Sequence, residues 1–332
     1  MAPIISIVIP VHNGANYIER CLQSVLDQTY SHWRCLVLDN CSTDATLRVA
    51  RESAAGDPRI EIKEAKEFVG LFENFNRVMR RVTPDADYVK PLFADDWLFP
   101  RCLEEMVRVG EANPTAGLIS SYRLEEDRVT CDGLEPEREL FDGRDVCRRS
   151  LIDGLFVFGS SSTVMLRGDR ARERNPFYAL GRLHPDTESC YELLGENDLG
   201  FVHQVLSFTR RQDGSLTAGL RAIDSAHRLD RLITVARYGP RFLSEDEHRT
   251  LLVQVEDDYY RFLGERTLYA TGRRFWEYHH AGLASISRSL DGVRLRRAQL
   301  RALSEQIREN PMEFGRRLVR VSRRKLAEAS AT

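Results

Sequence analysis

The sequence contains neither of the glycine signatures that usually cradle phosphates. There is no G-x-x-x-x-G-K-[ST] loop and no G-x-G-x-x-G turn, so the common ATPase and dinucleotide-binding readings lose their main support. No C-x-x-C pair occurs. The 7 cysteines are scattered, which argues against a zinc site or a disulfide framework and predicts a reducing, cytoplasmic setting. A basic excess is also missing: 48 Lys+Arg stand against 50 Asp+Glu, whereas a dedicated nucleic-acid binder normally shows a surplus of cations. Long apolar runs are absent too. The opening "MAPIISIVIPVHNG" turns polar by His12 and has no basic leader, so neither a membrane span nor a signal segment is expected.

What is present is alternation. Short apolar runs ("ISIVIP", "WRCLVLDN", "RIEIKEA") are separated by segments of helical spacing ("ANYIERCLQSVLDQ", "STDATLRVARES", "GLFENFNRVMRRV"). That order predicts an α/β domain with a mostly parallel central sheet flanked by helices. Further strands are expected at Tyr88 to Phe93, Gly117 to Tyr122, Thr163 to Arg167 and Phe201 to Arg210, with loops and a helix inserted between Arg123 and Gly159. The 332 residues can bury a full core. After about Thr217 the strand-like runs give way to helical spacing rich in arginine. The expected organisation is therefore one α/β domain over 1–217 and a helical C-terminal region over 218–332.

In parallel α/β sheets, ligands collect beyond the carboxyl ends of the strands, where loop backbones and helix N-termini converge. Three polar clusters fall at such ends: His12, Asn13 and Gly14; the run "DNCSTD" from Asp39 to Asp44; and Asp95 with Asp96. They should share one mouth. Ser42, Thr43 or Asp44 can serve simply as a helix cap, and Asp96 can do the same for "PRCLEEMVRVGE". Asp39 closes a buried strand, where its carboxylate can accept hydrogen bonds from a base N–H or from ribose hydroxyls. Adjacent carboxylates such as Asp95 and Asp96 repel, and a divalent cation relieves that repulsion while bridging to phosphate oxygens. The pair suits Mn²⁺ or Mg²⁺ shared with a nucleoside diphosphate.

Taken in order, "SIVIPVHNGANYIERCLQSVLDQTY", "CLVLDNCSTDAT" and "YVKPLFADDWLFPRCLEEM" resemble the family 2 glycosyltransferases of GT-A fold. The likeness runs over roughly residues 4–217. It implies an inverting transfer of sugar from a nucleotide-sugar donor to a hydroxyl on a glycan or lipid-linked glycan acceptor, commonly in bacterial surface polysaccharide or glycoconjugate synthesis.

The resemblance also implies site residues. Pro10, His12 and Asn13 match the first nucleotide-binding loop, where an aromatic residue is commoner than His12. Asp39 matches the aspartate that contacts the base, and Asn74 a recurrent asparagine flanking the donor site. Asp95 and Asp96 match the last two acidic residues of a D-x-D-D element and are the implied metal ligands. Phe93 stands in place of its first aspartate. In "HPDTESCYELL", Asp186 matches the catalytic carboxylate, with Glu188 as an alternative base. Arg210 falls on the arginine of an R-x-H-x-x-S loop and is expected at the diphosphate; Gln212 replaces the histidine. A nucleotidyltransferase and a non-catalytic nucleotide-sugar or glycan binder remain as alternatives, although "PVHNGANYIE" lacks the arginine that the former would carry. The basic tail, with Phe314, Leu318 and Val321 at helical spacing and Lys325 interrupting the stripe, allows either peripheral membrane contact or packing on the domain or a second subunit.

Overall fold

Seven residues with no charge among them, Ile5–Val11, form the first strand, β1. An apolar run that is not interrupted by alternating polar residues suits a strand covered on both faces. Accordingly, β1 lies inside the sheet, parallel to β2 (Trp33–Asp39) on one side and to β4 (Tyr88–Pro91) on the other. The structure is a computed structural model that describes residues 1–182, 184–210, 223–224, 227–268 and 271–309. The predictions made for Gln212 and for the tail beyond Asn310 fall outside these residues.

Beyond β2 lies β3 (Ile60–Glu64), also parallel. On the far side of β4 comes β9 (Met165–Arg167), antiparallel to β4 and to the long β6 (Ala116–Glu125). β6 runs parallel to β10 (Asp198–Thr209), and the two-residue β5 (Trp97–Leu98) pairs antiparallel with β10. The short β7 (Arg128–Thr130) and β8 (Leu140–Phe141) pair with β6 and β10. The sheet is therefore mixed, with the expected parallel run at β3-β2-β1-β4 and at β6-β10.

Helices pack on this sheet by their apolar faces. In α1 (Ile18–Leu26), Ile18, Cys21, Leu22 and Val25 are buried, the i, i+3, i+4, i+7 spacing of one helical face. They meet Ile5, Ile7 and Ile9 in the main core. The remaining helices of this part are α2 (Thr46–Ser53), α3 (Leu71–Met79), α4 (Cys102–Ala112), α5 (Gly143–Asp153), α6 (Gly168–Glu173) and α7 (Pro185–Leu194).

Strand ends differ from the sequence expectation for local reasons. β4 stops at Pro91, which has no N–H; Leu92 still donates to Val8, but the Phe93 N–H turns to the Ser162 hydroxyl at 3.0 Å. Thr163 closes a 3-10 turn, Ser161–Thr163, instead of opening β9.

The residues group into two compact units, 1–215 with Tyr238–Leu243, and 216–237 with 244–332. The second unit is helical among its described residues, as the arginine-rich texture suggested. Its helices are most of α8 (Arg228–Phe242), α9 (Glu245–Thr267), α10 (Arg273–Ala284) and α11 (Gly292–Glu309). Ser244 and Glu247 form a reciprocal capping box at the start of α9. Gly264 lets α9 approach α11, because a Cβ there would stand 2.6 Å from the Ala298 carbonyl carbon. Among the described residues no helix is long and apolar enough to cross a membrane.

Candidate active site

The loops after β1 and β2 are tied to one another by side chains. Asn13 takes a left-handed backbone conformation (φ 50°), which asparagine tolerates better than most residues. Its side-chain oxygen accepts from the Thr43 N–H at 2.8 Å, and its own N–H donates to Ser42 Oγ at 2.9 Å. His12 Nδ1 lies 2.9 Å from the Asn40 carbonyl, and its ring sits 4.7 Å from the exposed ring of Phe68. None of the three proposed caps occupies the N-cap of α2, which is Ala45; Asp44, one residue earlier, accepts from the Thr46 N–H through Oδ1 at 3.0 Å and from the Ala15 N–H through Oδ2 at 3.2 Å. Pro10 is buried within β1 opposite Leu38.

Asp39 behaves differently from these loop ties. It is 1% exposed; Oδ2 accepts from the Ser42 N–H at 2.9 Å, while the buried Oδ1 has no hydrogen-bond partner. On α3, Asn74 leans on the carbonyl of Leu38 through Nδ2 at 3.4 Å, and its buried Oδ1 is likewise without a partner. Buried polar atoms left unpaired cost about 1–3 kcal/mol each, so two acceptors beside neighbouring residues mark a place where a ligand's N–H or O–H groups restore the balance.

At the end of β4 the two carboxylates part company. Asp96 is buried; its Oδ1 accepts from the Arg210 N–H at 3.1 Å, Thr209 Oγ1 lies 3.5 Å from Oδ2, and Ser162 adds a side-chain hydrogen bond. It caps no helix, since α4 begins at Cys102. Asp95 is partly exposed beside it and within the field of the Arg210 guanidinium. Burial, and then the charge of Asp95, push the Asp96 carboxyl above its ordinary range; burial alone does so for Asp95. Phe93, where the family pattern has an aspartate, packs edge-on against Phe75 at 5.0 Å.

Arg210 stands at the end of β10 with its Nε buried and unpartnered and its guanidinium carbon 5.1 Å from the Tyr17 ring centre and 5.7 Å from that of Trp97. Trp97 is itself sandwiched by the Arg20 guanidinium at 3.4 Å and the Phe208 ring at 3.6 Å.

Asp186 and Glu188, two residues apart on the first turn of α7, face different surroundings. Asp186 is half-buried in a pocket with Ser161, Tyr178, Ser189 and Phe158. Glu188 is 6% exposed; the Tyr238 hydroxyl lies 3.1 Å from its Oε2, and Arg182 is 3.6 Å away. The 3-10 turn joins this pocket to the acidic pair: Ser161 Oγ contacts the Tyr178 hydroxyl at 2.8 Å, while Ser162 faces Phe93 and Asp96. Gly159 opens the segment with φ 63°, and a Cβ there would strike the Thr163 side chain at 2.3 Å.

Lys90 was not singled out from the sequence. Fully buried, its Nζ donates to the carbonyls of Ser162 and of Val164, the latter at 3.0 Å, and burial lowers its pKa to about 8. A lone lysine inside the apolar run "YVKPLF" was the available signal. Its two bonds anchor the turn that carries Ser161 and Ser162.

Among the described residues no group of three or more His, Cys, Asp or Glu side chains is assembled that could hold a metal by itself. The donor chemistry of Asp95 and Asp96 fits a hard divalent cation only in part. Asp96 is already engaged by protein donors, so a phosphate-bearing ligand would have to complete the coordination, as is usual for Mg²⁺.

Residues 6–167 match the family model described as Glycosyl transferase family 2. A Bacillus subtilis (strain 168) protein named for teichuronic acid biosynthesis as a glycosyltransferase is 34% identical over 158 residues, 47% of this chain and 61% of that protein. The chain thus spans less than two thirds of that relative. In fold, it is similar to S. aureus TarS, residues 1–349, solved in complex with UDP-GlcNAc, with a TM-score of 0.63 at 13% identity over 92% of this chain and 91% of that one. A mannosyltransferase of Pyrobaculum calidifontis, solved with GDP-Man and Mn²⁺, gives a TM-score of 0.53 at 14% identity over 92% and 88% of the two chains. Over residues 6–167, just under half of its length, the chain is similar to glycosyl transferase family 2.

Proposed function

We propose that the chain transfers a sugar from a nucleoside-diphosphate sugar to a hydroxyl of a glycan or lipid-linked glycan, with inversion at the anomeric carbon. The observation that carries this reading is the split between paired and open polar groups at one edge of the sheet. Asp39 Oδ1 and Asn74 Oδ1 are buried and unsatisfied, which suits the donor groups of a nucleoside. Asp95 and the Arg210 guanidinium lie farther along the same edge, with opposite charges suited to a diphosphate and its counter-ion. The UDP-GlcNAc and GDP-Man complexes of the two structural neighbours support a donor of this class.

The chemistry then follows from the pocket beyond the 3-10 turn. Inverting transfer needs a base on the acceptor side, within hydrogen-bond reach of the attacking hydroxyl. Asp186, half-buried beside a small cavity and accepting from the Thr187 N–H at 3.0 Å, is the less committed of the two carboxylates, whereas Glu188 is engaged by Tyr238 and Arg182. Asp186 takes the acceptor proton as the acceptor oxygen bonds to the anomeric carbon, and the bond from that carbon to the diphosphate oxygen breaks with its electron pair. Arg210 holds the diphosphate by charge-assisted hydrogen bonds. Asp95, backed by Asp96, would hold a divalent cation, which when bound offsets the charge on the departing diphosphate.

The domain boundary we propose, near residue 217, leaves all of these groups on the N-terminal side. A screen of nucleotide-sugars for release of nucleoside diphosphate, with and without Mn²⁺, tests the reading. Binding of a nucleotide-sugar with no release across a broad acceptor panel would favour the non-catalytic alternative that Phe93 raises.

A further inference from the structure

β4, β6 and β10 point the same way, because β9 lies antiparallel between the first two and β6 runs parallel to β10. The carboxyl end of β6 therefore emerges at the same edge of the sheet as Asp95 and Asp96. Back along β6 from that end, the turn after the antiparallel β7 and the end of α5 enclose an open cleft of about 430 Å³. One side chain links it to the acidic pair: Arg123, whose charge steadies the Asp96 carboxylate, donates from Nε to Thr130 Oγ1 at 3.0 Å, and Thr130 lines the cleft.

The same short segment also serves both openings. Leu155 and Phe156 line the cleft, and Phe158, Gly159 and Ser160, the residues that follow Val157, line the pocket of Asp186. The rings of Phe156 and Phe158 are 6.2 Å apart.

The walls combine exposed apolar surface with carboxylates. Phe156, which lines the cleft, is 42% exposed. Asp132 and Asp153 are exposed on the rim, while the charge of Arg149 is already met by Glu135 and its Nη2 donates to the Gly133 carbonyl at 3.0 Å. Carboxylates accept hydrogen bonds and donate none when ionised, so they select a ligand rich in hydroxyl donors and disfavour an anionic one. A flat ring beside them suits the C–H face of a sugar. The openness of the cleft suits a chain that passes through.

We propose that this cleft binds the distal sugars of a neutral, hydroxyl-rich glycan acceptor whose terminal hydroxyl reaches Asp186. The inference rests on the acceptor role read for the Asp186 pocket, but its test does not require turnover. Full-length protein would be titrated with cellohexaose, chitohexaose and maltohexaose, with the corresponding disaccharides, and with a chondroitin hexasaccharide as the anionic probe. Binding is followed by saturation-transfer NMR and calorimetry. UDP and GDP affinities are measured in parallel.

At least one neutral hexasaccharide should bind about tenfold more tightly than its disaccharide, and more tightly than the chondroitin probe. Phe156→Ala should weaken that binding by about tenfold, the scale for loss of an aromatic anchor, and Asp153→Asn should also weaken it. Neither substitution should alter nucleotide affinity. The proposal is overturned if no neutral hexasaccharide binds, if the disaccharide or the chondroitin probe binds as tightly, or if both variants bind like the wild type. Failure of the donor reading would show separately, as absence of UDP and GDP binding.

Discussion

Two parts of the molecule each bury polar atoms that have no partner, and they do so to different ends. At the sheet edge, Asp39 Oδ1 sits where β2 ends and its loop begins, with Asn74 Oδ1 on α3 beside it. In the helical unit, His279 is fully buried and its Nε2 is unpartnered, but the ring is hemmed in by Phe275 at 4.3 Å, Tyr278 at 5.1 Å and Tyr259 at 5.6 Å. An unsatisfied buried group is thus not sufficient to make a site. What separates the two cases is their setting: the first lies at the end of a strand and its loop, where the proposed donor would meet it, and the second inside a cage of aromatic rings. The same division recurs on a smaller scale within the site, between Asp186 and Glu188 and between Asp95 and Asp96.

The largest effect is expected at Asp186. Asp186→Asn keeps size and hydrogen-bonding capacity but removes basicity, so transfer should slow by about 10²–10⁴-fold with donor affinity nearly unchanged. Glu188→Gln should leave the rate within a few fold and lower stability instead, because the Tyr238 and Arg182 contacts lose a charge. Single-turnover rates of both variants, set beside their thermal midpoints, check the contrast. The reverse pattern would exchange the two roles.

Asp95→Asn should cost about 10–100-fold or more in apparent Mn²⁺ affinity, since even the outer-shell partners of a metal are worth that much. Asp96→Asn should act mainly on stability and on Arg210, whose N–H it holds. Titrating nucleotide release with Mn²⁺ distinguishes them. Equal metal dependence in the two variants would mean that both carboxylates face the ion.

The parallel part of the sheet was legible because its code is local: continuous apolar runs in "ISIVIP" and "WRCLVLD", each followed by a segment of helical spacing, the first with a four-residue apolar stripe. The strand-end rule then brought His12, Asn13, Asp39 and Asp95 to one edge from chain order alone. What stayed hidden depends on contacts between residues far apart in sequence. The occupation of Asp96 by the Arg210 N–H spans 114 residues, and that of Glu188 by Tyr238 spans 50. Neither has a local signature. The loop-tying role of Asn13 was hidden for the same reason, since its partners lie on the next βα loop. The antiparallel insertion of β9 was equally invisible, as three residues carry too little pattern to reveal direction.

Asp39→Asn tests the open-acceptor side of the comparison more gently. The amide can still accept from the Ser42 N–H, but the free oxygen loses its charge or presents an amide N–H instead. A hydrogen bond to a charged group is worth about 1.5–3 kcal/mol, so nucleotide affinity should fall by roughly 10–150-fold. Thermal stability should hold or rise, because an unsatisfied buried carboxylate is removed. A variant that binds UDP and GDP as tightly as the wild type would show that the unpaired oxygen is not a nucleoside contact.

The enclosed side is tested by acid. Burial lowers the pKa of His279 to about 4, against an ordinary value of 6.5, so the folded unit keeps this ring neutral over a range in which the unfolded chain protonates it. Between those two values the unfolded state binds more protons, and stability must therefore fall as pH drops from about 6.5 toward 4, levelling off below. From pH 7 to pH 5 the loss works out at about 2 kcal/mol. His279→Phe preserves an aromatic ring among Phe275, Tyr259 and Tyr278 and removes the titration, at the cost of the 3.1 Å contact between Nδ1 and the Tyr259 hydroxyl. Urea unfolding at pH 7 and pH 5 should show a steep decline for the wild type and a shallower one for the variant, while nucleotide affinity at pH 7 is the same in both. Parallel declines would move the acid sensitivity elsewhere. A loss of nucleotide affinity in the variant would break the division between the two kinds of buried group.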